Sequence, residues 1–158
     1  MPESIVMIMH VAHPSTTVDV LSAWAGQPLD AQAALGEMVG ERIARVVDLD
    51  APVDLALEAD DRGGRRKPDA SFAVSLPVRN FEAAKAMLQG DYDILPIDNG
   101  AFEVRRAHGE GHRRDGDSDF RSCALAPAIG GARVVCSRTA SSRDAMIPYL
   151  TRGVASFS

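Results

Sequence analysis

Cys123 and Cys136 are the chain's only two thiols, and they flank the turn of the segment SCALAPAIGGARVVC. Centring that turn between Ile129 and Gly130 places Leu125 opposite Val134 and Cys123 opposite Cys136. Opposed residues in an antiparallel ladder have Cα atoms about 4.5 or 5.5 Å apart, both within disulfide reach. A bridge closing a loop of about 14 residues contributes roughly 3 kcal/mol in the chain-entropy model, and less in a hairpin already held by its ladder. Free cysteine is also among the most frequently buried residue types, so two thiols packed as small apolar side chains satisfy the same pattern. Both readings stay open. Redox catalysis fits less well, because a C-x-x-C pair at a helix N-terminus is absent. Two thiols also fall short of the four ligands of a structural zinc site.

A second group gathers potential metal ligands: His108, Glu110, His112, Asp115, Asp117 and Asp119 lie within one polar stretch. HGEGH is not the helical H-E-x-x-H of zinc proteases, and DGDSDF starts like a calcium loop without its later glycine and glutamate. His108, His112, Asp115, Asp117 and Asp119 are therefore weak metal candidates. The segment 107–119 is expected to be a flexible loop between strands, and neither a metal nor a cofactor is expected.

A third group sits early in the chain. His10 ends an apolar stretch, and a buried histidine usually has an ordinary hydrogen-bond partner. His13 stands where HPSTT opens a helix, a place where free backbone N–H groups can hold an anion. Ser15 and Thr16 can instead cap that helix, Thr16 with Asp19 three positions on. In the loop DRGGRRKPD, Arg65 and Arg66 can contact a carboxylate or phosphate on a partner, although basic residues in such loops commonly only solubilise. No G-x-S-x-G elbow or glycine-rich phosphate loop is present.

These residues need elements to hold them. IVMIMHV, residues 5–11, is a nearly unbroken apolar run and reads as an interior strand covered on both faces. A helix follows, ended by Gly26 and Pro28, and a second runs from Asp30 to Val47 with apolar residues at helical spacing. Val53, Leu55, Leu57 and Ala59 alternate with polar or small residues, as do Phe72, Val74, Leu76 and Val78, which predicts a hairpin with one buried face. Asn80 caps a short helix, Asn99-Gly100 turns a second hairpin, the cysteine arms form a third, and a last helix contains Pro148. The order β-αα-ββ-α-ββ-ββ-α predicts a single α+β domain, largely antiparallel, with helices mainly on one face. Its first six units match the order of a ferredoxin-like core.

The 158 residues, 46% of them hydrophobic and 25% charged, describe one globular domain. No apolar run approaches the roughly 20 residues of a membrane span. A net charge of −5 and 5% aromatic residues argue against nucleic-acid binding. The N-terminus lacks the features of a secretory signal, so the expected location is the cytoplasm, or outside it if the chain belongs to a longer exported protein.

If helices cover the face of Leu55, Leu57, Phe72 and Val74, the other face presents Val6, Ile8, Ala56, Ala73 and Ser75. That surface is apolar enough to mark an interaction site. The sequence thus points to a non-catalytic binding or assembly module, self-associating or docking to a protein partner through this open face. The rival expectation is a small-molecule enzyme or sensor at the end of the first strand, around His10 and His13.

Overall fold

Among the described residues seven strands line up in one sheet in the order β1-β2-β3-β7-β6-β5-β4, and every neighbouring pair runs antiparallel. The computed structural model describes residues 5–60, 69–106 and 120–151. The strands are β1 (Ile5–Val11), β2 (Val53–Asp60), β3 (Asp69–Val78), β4 (Tyr92–Pro96), β5 (Phe102–Arg106), β6 (Ser122–Ala128) and β7 (Gly131–Ser137). The helices are α1 (Pro14–Ala25), α2 (Ala31–Val39), α3 (Glu41–Val46), α4 (Phe81–Leu88) and α5 (Ala140–Leu150). This is the α+β arrangement that the element order implies. Joined by helices yet direct antiparallel neighbours, β1 and β2 are not the parallel strands of a split βαβ unit, so the ferredoxin-like core is not formed.

The local chemistry of the ends matches the sequence in several places. Asp30 accepts from the N–H groups of Gln32 and Ala33, and Asn80 from that of Ala83, satisfying first-turn donors of α2 and α4. Asn99 and Gly100 both take positive φ, the conformation a tight I′ turn demands. The long helix expected from Asp30 to Val47 is broken instead. Gly40, at φ 98° and ψ 140°, leaves the helical region and splits it into α2 and α3. The Gln32 side-chain amide donates across the break to the Ala44 carbonyl.

The sheet buries both faces unequally. Under α2, α3 and α4, branched and aromatic side chains form the larger core, with Leu76, Leu125 and Val134 of the sheet meeting Leu35, Ile43 and Leu88. Under α5 the sheet offers mostly small residues, Ala56, Ala73, Ala124 and Ala126, against Met146, Ile147 and Leu150. A carpet of alanines lets a single helix approach closely enough to close that face. The face expected to be open is therefore covered: Ala56, Ala73 and Ser75 are fully buried and Ile8 is half-buried, while nothing is described of the Val6 side chain. Which side α5 covers depends on where the chain returns after β7, a long-range outcome that no local pattern sets.

The first strand is corrected too. β1 lies at the edge of the sheet, paired only with β2 among the described strands. Its continuous apolar run reflects two differently used faces and not a central position. Likewise Phe72, expected beneath the helices beside Leu55, is 44% exposed, whereas Val74 two residues on is buried. Helices α2 to α4 shelter the middle of the sheet and stop short of the β1 side.

Candidate functional site

One cross-strand row of the β1-β2-β3 ladder, joined by Arg133 of β7, creates the most elaborate polar cluster. Register places His10 opposite Asp54 and Asp54 opposite Ser75, so all three share the α5 face. Asp54 is 1% exposed and holds two partners: His10 Nδ1 lies 2.6 Å from one carboxylate oxygen, and an Arg133 terminal nitrogen donates to the other at 2.9 Å. Arg133 reaches in from β7. Its Nε donates to Ser75 Oγ at 2.5 Å, and its NH2 group donates to the carbonyls of Pro52 at 2.7 Å and Ser75 at 3.1 Å. Ser75 in turn donates its hydroxyl to the Leu150 carbonyl at 3.0 Å, near the end of α5.

The electrostatics follow from burial. Desolvation pulls the Arg133 guanidinium down from its usual value, and the Asp54 charge works in the opposite direction. Such a pair is retained only when its lone pairs and protons are satisfied, as here. Nδ1 of His10 faces a carboxylate and so carries a proton, which fixes the tautomer of the neutral ring. The His10 side chain is 40% exposed, so an oriented imidazole reaches the surface. Ser75 cannot serve as a nucleophile beside it, being fully buried and committed to Leu150.

His13, Ser15 and Thr16 do not join this cluster. Helix α1 starts at Pro14 with His13 as its N-cap residue, and no side chain caps it. Thr17, not Thr16, bonds back, its hydroxyl donating to the His13 carbonyl at 3.0 Å. Ser15 donates its hydroxyl to Asp50 at 3.0 Å, and its N–H is taken by the Leu49 carbonyl at 3.2 Å. Asp50 already supplies negative charge at this helix start, which leaves little call for an external anion. Arg79 closes the group through Asp48, whose carboxyl it holds below the usual range. Arg65 and Arg66, and the weak metal candidates His108, His112, Asp115, Asp117 and Asp119, lie outside the described residues. Among the described residues no three potential metal ligands cluster.

The cysteines settle on the bridged reading. Cys123 and Cys136 are opposed in register and joined as a disulfide, with Cα atoms 4.1 Å apart. Both are also buried in the larger core, so the packed reading described their surroundings correctly. Sequence parity located this pair; it did not locate Arg133 or Asp54. Their meeting needs β7 to lie beside β3, a neighbourhood no local pattern announces. The same holds for Arg143 of α5, which is buried and donates to Glu103 at 3.1 Å and to the Ser122 hydroxyl at 2.9 Å.

The second feature is apolar. On the α2–α4 face, Met7, Leu57 and Phe72 form one cross-strand row, and Met9, Leu55 and Val74 the next. Met7 and Met9 are 42% and 46% exposed. Separately, helix α1 exposes Val20, Leu21 and Trp24, the last 88% exposed, and buries no residue of its own. No described helix is long and apolar enough to cross a membrane. Comparison with family models, curated proteins and solved structures yields no match for this chain.

Proposed function

We propose that this protein is a non-catalytic binding or assembly module that works through the apolar surface of β1 to β3 on the α2–α4 side. The observation that carries the reading is the continuous row Met7–Leu57–Phe72 beside Met9, apolar across three strands and left uncovered where the helices end. Contiguous exposed apolar surface of this kind marks interaction sites. Methionines add to it, since their flexible, polarisable side chains adapt to a partner's contour. The surface lies on the face opposite to the one the sequence favoured.

Phe72→Ser tests this, because it removes apolar area at an exposed position with little cost to the fold. The complex formed by the wild-type chain, purified or in an extract of its own cells, should shrink to single-chain mass in the variant by sizing with light scattering. A chain that is monomeric in both settings, or a complex indifferent to the substitution, contradicts the reading.

One observation favours a second reading, a small-molecule enzyme or sensor at the end of β1: the exposed His10 ring held by buried Asp54. A carboxylate-oriented imidazole is the arrangement of a general base. Its expected partner His13 has no part in the cluster, and Ser75 is buried beneath it, so the second reading has a base without a described nucleophile.

A further inference from the structure

Among the described residues, Asn99 is the one non-glycine that takes a positive φ, at φ 62° and ψ 25°, and Gly100 follows it at φ 73°. The pair forms the tip of the β4–β5 hairpin. There the Ala101 N–H donates to the Asp98 carbonyl at 3.4 Å, and the Ile97 N–H donates to the Ala101 carbonyl at 2.9 Å. Both turn residues are exposed. The chain has one other asparagine, Asn80, and it is held quite differently. Asn80 is extended, with its side-chain oxygen taken by the Ala83 N–H at the start of α4, and the bulky Phe81 follows it.

We propose that Asn99 is a modification site at which the folded chain deamidates, with Gly100 supplying the nucleophile. The Gly100 backbone nitrogen gives up its proton and attacks Asn99 Cγ, the bond from Cγ to the side-chain nitrogen breaks, and ammonia leaves with the proton. A five-membered succinimide is closed. Water then opens the ring at either carbonyl, giving aspartate or isoaspartate, with no oxidation or reduction. Ring closure requires Cβ and the Gly100 nitrogen to lie on the same side of the Cα–C bond. For an L-residue that means a ψ of about −120°, the value at the first central position of a type II′ turn, where φ is about +60°. Asn99 already has that φ and lacks only that ψ. A flip of the Asn99–Gly100 peptide plane supplies it, converting the I′ turn into II′ and carrying Gly100 to a φ of about −80°, which glycine adopts freely. Both turns suit the twist of a hairpin, so the β4–β5 ladder holds through the reaction.

The two products then diverge. Aspartate keeps the I′ turn, since Asp-Gly suits it as Asn-Gly does, and adds one negative charge to a chain of net charge −5. Isoaspartate routes the main chain through the side-chain carbon. The longer tip puts the bonds of Ile97 and Ala101 out of step, and because Ala101 is buried under α5 the hairpin loosens from that face.

Peptide mapping by mass spectrometry, after the whole chain has stood at mildly alkaline pH beside a sample unfolded in urea, reads the reaction. In the folded chain Asn99 should become a mixture of aspartate and isoaspartate, roughly ten- to a hundredfold more slowly than in urea, the cost of holding a non-glycine residue in the II′ geometry. Asn80 should remain an amide. A reaction that has to await global unfolding is slowed at least about a thousandfold. A folded-state rate that low at Asn99 overturns the proposal, as does conversion of Asn80 at the rate of Asn99. Amide exchange at Ala101 should quicken in the isoaspartate fraction and not in Asn99→Asp; native exchange in that fraction overturns the consequence drawn for the hairpin.

Discussion

Asp54 sits in the interior with Arg133 on one carboxylate oxygen and His10 on the other, and Asp54 and Arg133 depend on each other for that position. Removing one partner of a buried pair typically costs about 3–5 kcal/mol, since the remaining charge is stranded. Arg133→Ala is expected to lower the unfolding free energy by about that amount in urea titration. The paired change Arg133→Met with Asp54→Asn should recover much of the loss, because a hydrogen-bonding amide needs no counter-charge. A loss below about 1 kcal/mol, the range of exposed pairs, would mean that water already screens the cluster. His10 was visible in the sequence as a strand residue with a partner to find. The partner's identity was not, because Asp54 reads locally as one polar step in an alternating strand.

The β6–β7 hairpin shows an element whose register is written in its own residues. Gly130 and Gly131 both take positive φ, and the parity of that turn opposes Cys123 to Cys136 and Leu125 to Val134. Reducing the bridge is expected to cost at most roughly 3 kcal/mol, with the ladder and core retaining the hairpin. For a chain of this length each 1 kcal/mol shifts the melting temperature by about 2–4 °C. Scanning calorimetry with and without reductant reads the shift, and native alkylation should leave both buried thiols unlabelled until the chain unfolds. Rapid labelling under native conditions would show that the bridge, not the core, holds these strands together. An oxidised, buried pair is also the state expected of proteins that mature in an oxidising compartment. The helical elements were less legible. The apolar spacing from Asp30 to Val47 reads as one helix, whereas Gly40 breaks it and lets α3 place Ile43 and Val46 in the core.

Across the whole molecule, acid stability reports how the α5 face is held. Burial pushes the Glu103 carboxyl up, but the Arg143 hydrogen bond and charge, joined by Arg105, outweigh it and hold it below the usual carboxylate range. A depressed folded value contributes stability above the unfolded pKa and loses it as pH falls through the folded one. Unfolding midpoints should therefore fall on acidification through the carboxylate range, and Glu103→Gln should flatten that dependence. A variant with the wild-type slope would place the acid sensitivity elsewhere. The sequence by itself determined the class of each strand and hairpin, the α+β composition and the opposition of the cysteines, because turn chemistry and side-chain alternation act between near neighbours. Only the tertiary structure decided that β1 is an edge, that α5 closes the face of Ala56 and Ala73, and that Arg133 meets Asp54. Those outcomes depend on the order in which hairpins pair and the side to which the last helix returns. Contacts between residues far apart in the chain settle both, and no short stretch encodes them.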